Sequence, residues 1–201
     1  MSSETITHGH AAAEVHSHDS HDAHGHDHHH EESFLSKYIF STDHKMIGKQ
    51  FLITGIIWAI IGGLFSVLFR LQLGYPEMTF PFLEDLFGKW AAGGRISNEF
   101  YYALVTMHGT ILVFFVLTAG LSGTFANILI PLQIGASDMA FARMNNFSFW
   151  LLPVAGILLS SSFFVPGGAT AAGWTLYAPL TSQMGPGMDM AIFAMHLMGA
   201  S

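Results

Sequence analysis

The chain is 201 residues long, 51% hydrophobic and only 10% charged, where a soluble domain carries about 25% charged residues, so an ordinary water-soluble globule is excluded. Its formal charge of −7 arises wholly within residues 1–32, which hold seven carboxylates and no Lys or Arg, while residues 33–201 carry seven charges of each sign. A neutral body without a clustered basic face argues against a nucleic-acid partner, and the absence of cysteine removes disulfides, thiolate zinc sites, Cys-ligated iron–sulfur clusters and Cys nucleophiles.

Residues 1–32 contain ten of the thirteen histidines, set among Asp, Ser, Gly and Ala (HSHDSHDAHGHDHHHEE). Almost nothing there is large enough to bury, so residues 1–33 are predicted to be a disordered, acidic, His-rich extension. It lacks the basic start and apolar core of a signal peptide. Neutral imidazoles at this density bind Zn²⁺, Ni²⁺ or Cu²⁺, which leaves open a solvated tail with incidental metal affinity or a specific metal role.

Residues 34–201 are predicted to form an all-α, polytopic transmembrane bundle. Phe51 to Phe69 run nineteen residues without a charge between Lys49 and Arg70, enough at about 1.5 Å per residue to span a bilayer core of roughly 30 Å. Within this span Gly55, Ala59 and Gly63 form a small-residue strip suited to close helix packing, or to approach of a planar cofactor. The linking stretch 71–99 is rich in turn signals (Gly74, Pro76, Pro81, Gly93, Gly94). A second uncharged run covers Ala103 to Ile130, and a third covers Phe147 to Val165. A fourth begins near Met190 and is still apolar at Ser201, so the chain is read as the front of a longer polytopic protein. Lys37, Lys45, Lys49 and Arg143 fall on one side, against Arg70, Lys89 and Arg95 with four acids on the other, which favours a cytoplasmic N-terminus.

Ionisable groups inside a membrane are costly and demand a reason. His108 and His196 both lie roughly 10–12 Å down their spans from the same face by helical rise. Equal depth permits a shared site in which two imidazoles grip a haem. The competing reading is an imidazole hydrogen-bonded to a Thr or a backbone carbonyl on a neighbouring helix. At the opposite face, Asn127, Asp138, Asn145 and Asn146 cluster. They suit a proton-collecting mouth with amides that order water, or else a helix cap at Asn145 or Asn146 with Asp138 paired to Arg143 or a lysine. Arg70, at the end of the first span, reads from position alone as a snorkelling anchor.

Five strings, STDHKMIG (41–48), MHGTILVFF (107–115), IPLQIGASDMAFARMNNFSFWLLP (130–153), GWTLYAPL (173–180) and MHLMGAS (195–201), resemble the N-terminal third of subunit I of the haem–copper respiratory oxidases, most closely the cytochrome c oxidases. The resemblance covers about residues 36–201. It implies the first four of about twelve helices, with His108 as one axial ligand of a low-spin haem (haem a) and Arg70 hydrogen-bonding a substituent of that haem. It implies Trp174 and Tyr177 near the haem propionates, Asp138 at the entrance of a proton-uptake pathway, Asn127 and Asn145 ordering its waters, and Ser201 further along the route. It withdraws His196 as the partner of His108, because the second axial histidine comes from a later helix. The high-spin haem, the copper and the oxygen-reducing site would lie beyond Ser201.

The resemblance further implies an enzyme that moves electrons from cytochrome c, or a fused or bound cytochrome c domain, to oxygen while pumping protons. Expected partners are other oxidase subunits, including a subunit II, and membrane lipid, in a bacterial inner membrane with the N-terminus cytoplasmic. A quinol oxidase of the same superfamily is the nearest alternative. A metal-ion transporter with the His-rich tail as collector is the alternative of another class. Gln72 stands where the family pattern has a glutamate two residues after the arginine, which puts a nearby calcium or sodium site in doubt. Ala142 stands where a proline is common, with no evident chemical consequence.

Overall fold

The first transmembrane helix begins where Asp43, in an extended N-cap conformation, accepts the Lys45 N–H with its carboxylate at 3.2 Å. The computed structural model describes residues 34–201. The predicted extension over residues 1–33 lies outside the described residues. From Asp43, α1 runs over His44–Gly74. A short α2 (Pro81–Phe87) follows, then α3 (Asn98–Thr110), a π-helical stretch Ile111–Ser122 and α4 (Gly123–Ile134), which together form one continuous returning span. α5 (Ala142–Ser161) runs out again, and α6 (Pro186–Ala200) returns.

Three of these units, His44–Gly74, Asn98–Ile134 and Ala142–Phe164, are long and apolar enough to cross a membrane. The described residues contain no strand, and the fold is the predicted all-α, multi-pass membrane bundle. The fourth predicted span is the 15-residue α6. It starts at Pro186, ahead of the predicted Met190, because proline at the first helical position needs no N–H partner. The linker 71–99 is also less open than its turn residues suggest. Pro81 opens α2 instead of breaking the chain, and Leu83 and Ala91 are buried against the bundle.

Small residues set the distance between α1 and the returning span, at positions offset from the predicted strip. A Cβ on Gly48 would meet Ile128 and Asn127. One on Gly55 would lie 3.1 Å from the Gly120 Cα, and one on Gly62 would meet Leu112 and Ile111, whereas Gly63 faces open space. The contacts therefore recur every seven residues, keeping one helix face against an antiparallel neighbour over two turns at a time. The predicted four-residue spacing catches only Gly55. Gly120→Val puts a branched side chain against α1 backbone, and we expect it to cost on the order of 1–3 kcal/mol. A fall in the thermal stability of the purified assembly reads this out.

Behind this seam the core joins Phe51 and Phe149, whose rings meet edge to face at 5.3 Å, with buried Phe115, Leu152 and Met198. At the end of the bundle remote from the start of α1, Trp90 stacks on Phe100 at 5.4 Å, and Phe87 and Phe163 close around the pair. Ser97 Oγ, accepting the Phe100 N–H at 3.2 Å, starts α3 there.

Candidate functional site

Two groups of predicted residues occupy opposite ends of the bundle. At the end where α3 begins, His108 sits half-buried near the C-terminus of α3. Its Nδ1 lies 2.7 Å from the Gly62 carbonyl of α1. A carbonyl can only accept, so Nδ1 carries the proton in this contact, which selects the tautomer with a lone pair on Nε2. Phe69 fixes the ring plane with an edge contact at 5.6 Å. The arrangement seen is the carbonyl-bound reading of His108; a metal-ligating histidine also keeps its other ring nitrogen hydrogen-bonded.

The loop carrying Trp174 is tied to the same helix. Thr106 Oγ1, fully buried, accepts the Gly173 N–H at 2.9 Å. A Cβ on Gly109 would stand 3.0 Å from Trp174, so glycine after His108 lets the indole lie there without giving way. The Phe114 ring lies tilted against that indole, with centroids 6.4 Å apart. Tyr177 lies on the same loop and is exposed. Arg70 follows Phe69 on α1; its side chain is exposed and makes no ion pair among the described residues. Gln72 Oε1 accepts the Ile96 N–H at 3.1 Å and so ties α1 to the segment before α3.

His196 does not meet His108. It is exposed on α6, and its Nδ1 bonds the Ile192 carbonyl of its own helix at 2.8 Å.

The second group lies where α1 begins. Asp138, in the short connection between α4 and α5, accepts from His44 Nδ1 at 2.9 Å and from the Met139 N–H at 2.7 Å. Partial burial pushes the Asp138 carboxyl up, but the Met139 N–H and the bonds and charge of His44 outweigh it and hold it below its ordinary value of 3.8. The predicted alternative partners of Asp138, Arg143 or a lysine, are not the ones used. His44, itself buried, is a residue that the sequence reading passed over. It lies within the string STDHKMIG (41–48) that carried the resemblance, but its partner lies 94 positions away, and sequence gives no sign of that contact.

Asn127 is buried on α4. It donates to the Gly123 carbonyl and accepts from Asn145 Nδ2 on α5. Neither Asn145 nor Asn146 caps α5, which begins at Ala142 without a side-chain cap. Asn146 Nδ2 bonds the Ser41 carbonyl at 2.8 Å, fastening the segment before α1 to α5. From Asn145 the polar line continues inward, since Ser148 Oγ donates to the Asn145 carbonyl at 2.8 Å and Ser201 Oγ donates to the Ser148 carbonyl at 2.7 Å. Ser148 is the second residue that sequence reasoning missed. Ser201 opens onto a cavity of about 530 Å³ whose lining includes Thr118, Ser122 and Met198.

Asn127 and Asn145 are therefore paired through their side chains, Ser201 is bonded to the α5 backbone at Ser148, and Asp138 lies at the same end, bonded to His44. Asn145→Ala leaves the buried Asn127 oxygen without its donor. We expect a loss of about 1–3 kcal/mol of stability, read as a lower melting temperature.

The fold and these two polar groups define a multi-pass membrane protein with an imidazole presented inside the bundle and a polar mouth at one end. Residues 46–201 match the family described as cytochrome c and quinol oxidase polypeptide I, and the chain belongs to that family. Its relatives include the alternative cytochrome c oxidase subunit 1 of Bradyrhizobium diazoefficiens, 42% identical over 167 residues covering 83% of this chain and 26% of the relative. The heme-copper oxidase subunit I+III of Aeropyrum pernix is 38% identical over 172 residues, 84% of this chain and 19% of the relative. The cytochrome c oxidase subunit 1 of Cereibacter sphaeroides is 38% identical over 185 residues, 84% of this chain and 33% of the relative. The chain thus spans about a fifth to a third of the length of these relatives. Family membership over residues 46–201 displaces the metal-ion transporter alternative.

Proposed function

We propose that this chain supplies one low-spin haem ligand and the mouth of a proton-uptake route to a terminal respiratory oxidase, the complete form of which passes electrons from cytochrome c to oxygen and pumps protons. The observation that carries the reading is His108, whose Nδ1–H is committed to Gly62 so that Nε2 is left as a donor, in a chain of the oxidase family. A single soft-to-intermediate nitrogen donor of fixed tautomer suits haem iron. A haem held there supplies a one-electron relay. His108 orients it, Arg70 is assigned to a polar substituent, and Trp174 and Tyr177 are assigned to the propionate side. A second histidine for that haem, the high-spin haem and the copper would be supplied by later parts of the complete subunit.

On the proton side, each residue has a task that follows from its contacts. Asp138 stays ionised and accepts protons arriving from water, while His44 fixes its orientation. The Asn127–Asn145 amide pair presents donors and acceptors to waters behind it. Ser148 and Ser201 carry the polar line along α5 towards the cavity. The reading has other oxidase subunits, including a subunit II, bound to the body formed by residues 34–201. It also sets the N-terminus in the cytoplasm of a bacterium, a reading supported by Lys37 before α1 and Lys45 and Lys49 in its first two turns.

A quinol oxidase is the second reading, since the matched family covers both electron donors. Oxygen uptake by the purified assembly distinguishes them. Rapid uptake with reduced cytochrome c is the expected result, uptake with quinol alone assigns the sister enzyme, and uptake with neither donor overturns the oxidase reading.

A further inference from the structure

The segment before α1 folds into one π-helical turn, Leu35–Ile39, closed by the Phe40 N–H on the Leu35 carbonyl at 2.9 Å. It forms a strap tied to both α1 and α5. Gln50 Nε2 on α1 donates to the Tyr38 carbonyl at 2.7 Å and to the Ile39 carbonyl at 2.9 Å. The next strap residue, Phe40, stacks on Trp150 of α5 with ring centroids 5.4 Å apart, and Asn146, one turn before Trp150, holds the Ser41 carbonyl. Two side-chain polar atoms at this junction, Gln50 Oε1 and Trp150 Nε1, are buried without a hydrogen-bond partner, and they are the only such atoms among the described residues. Their neighbours put the two at one level. The adjacent residues Phe51 and Phe149 meet ring to ring at 5.3 Å, and Thr54 and Pro153, one turn further along each helix, line a common groove.

We propose that a single buried water molecule bridges these atoms, accepting from the Trp150 indole and donating to the Gln50 amide oxygen, and so clasps the strap to both helices. Turning the amide over does not supply a partner. The Tyr38 and Ile39 carbonyls only accept, so they require the Gln50 nitrogen on their side and leave its oxygen facing elsewhere. An indole N–H only donates. Buried polar groups of both kinds are costly without a partner, so each calls for one. A cation is repelled by the N–H and an anion by the amide oxygen, and the occupant is therefore a neutral molecule that both accepts and donates. Neither atom is open to solvent, which limits that molecule to the smallest one. The two strap carbonyls each keep a second lone pair that can take the water's other hydrogen, giving it the three partners usual for a buried water. The clasp is independent of the haem and proton assignments.

The test uses the complete native assembly containing this chain. A cryo-EM map fine enough to show ordered water should carry a peak at hydrogen-bond distance from both Trp150 Nε1 and Gln50 Oε1. An indole bonded directly to the amide, or either atom bonded instead to another subunit or to a later part of the chain, overturns the proposal. Ultraviolet resonance Raman spectroscopy gives an independent reading, because the indole mode that reports N–H bonding is isolated for this residue by subtracting the spectrum of Trp150→Phe from that of the wild type. We expect the band at its hydrogen-bonded position in the wild type and a shift towards the unbonded position in Gln50→Leu, which removes the water's acceptor. A wild-type band at the unbonded position, or a Gln50→Leu band unmoved from the wild type, overturns the proposal as well. The visible haem spectrum of both variants should match the wild type, so failure here is separable from failure of the oxidase reading.

Discussion

Replacing His108 with alanine in the complete subunit is expected to abolish the low-spin haem band, leaving the absorbance of that centre at background. The reason is local. Methyl in place of imidazole removes the ring that the Gly62 carbonyl has oriented, and among the described residues no other histidine is held against α1 near it. His196 is bonded to its own helix and exposed on α6, so it does not substitute. Helical content, measured by circular dichroism, should be unchanged, because His108 is only half-buried and its neighbours Met107 and Thr110 carry the packing. A His108→Ala assembly with full low-spin haem would remove the ligand assignment.

Asp138→Asn is expected to slow turnover and proton uptake on the order of 100-fold, the scale for losing a positioned proton-transfer group, with the haem spectrum intact. An amide keeps the shape and still accepts from the Met139 N–H, but it does not take up a proton. Wild-type turnover in this variant would refute the pathway. The pH dependence has a definite sign. Because the folded state holds the carboxyl below 3.8, its contribution to stability is fully present above the unfolded value. It is lost as pH falls through the lowered folded value. His44→Ala removes two of the lowering influences while the burial that raises the carboxyl persists, so acid loss of turnover should move to higher pH. A turnover–pH profile of His44→Ala superimposable on the wild type would show that the contact leaves the carboxyl unaffected.

The spans were legible because hydrophobic length alone specifies them: three uncharged runs in the sequence are the cores of the three membrane-length helices. Their ends were less so. Caps and polar first turns, such as Asp43 with His44 or Ser97 with Glu99, belong to the helix but not to its apolar signal. Helix packing was half legible. Glycines flagged the seam, but the choice of Gly62 over Gly63 depends on rotation relative to the partner helix, which a four-residue count does not carry.

The site divides in the same manner. Asn127, Asn145 and Asp138 drew notice through residue type and position near a membrane face, yet which of them touch is decided by how α4, α5 and the start of α1 converge. That convergence brings in His44 and Ser148, which no spacing announces. His108 and His196 looked equivalent by depth. They differ because the π-helical stretch and the glycine seam bring the second span against α1, whereas α6 packs on α5 and leaves His196 outward.

The most direct measurement is a reduced-minus-oxidised visible spectrum of the native membrane assembly containing this chain, recorded with and without carbon monoxide. A low-spin haem band together with a second haem that shifts on carbon monoxide binding is the predicted result. A spectrum without haem would contradict the assignment of His108 and of the oxidase function with it.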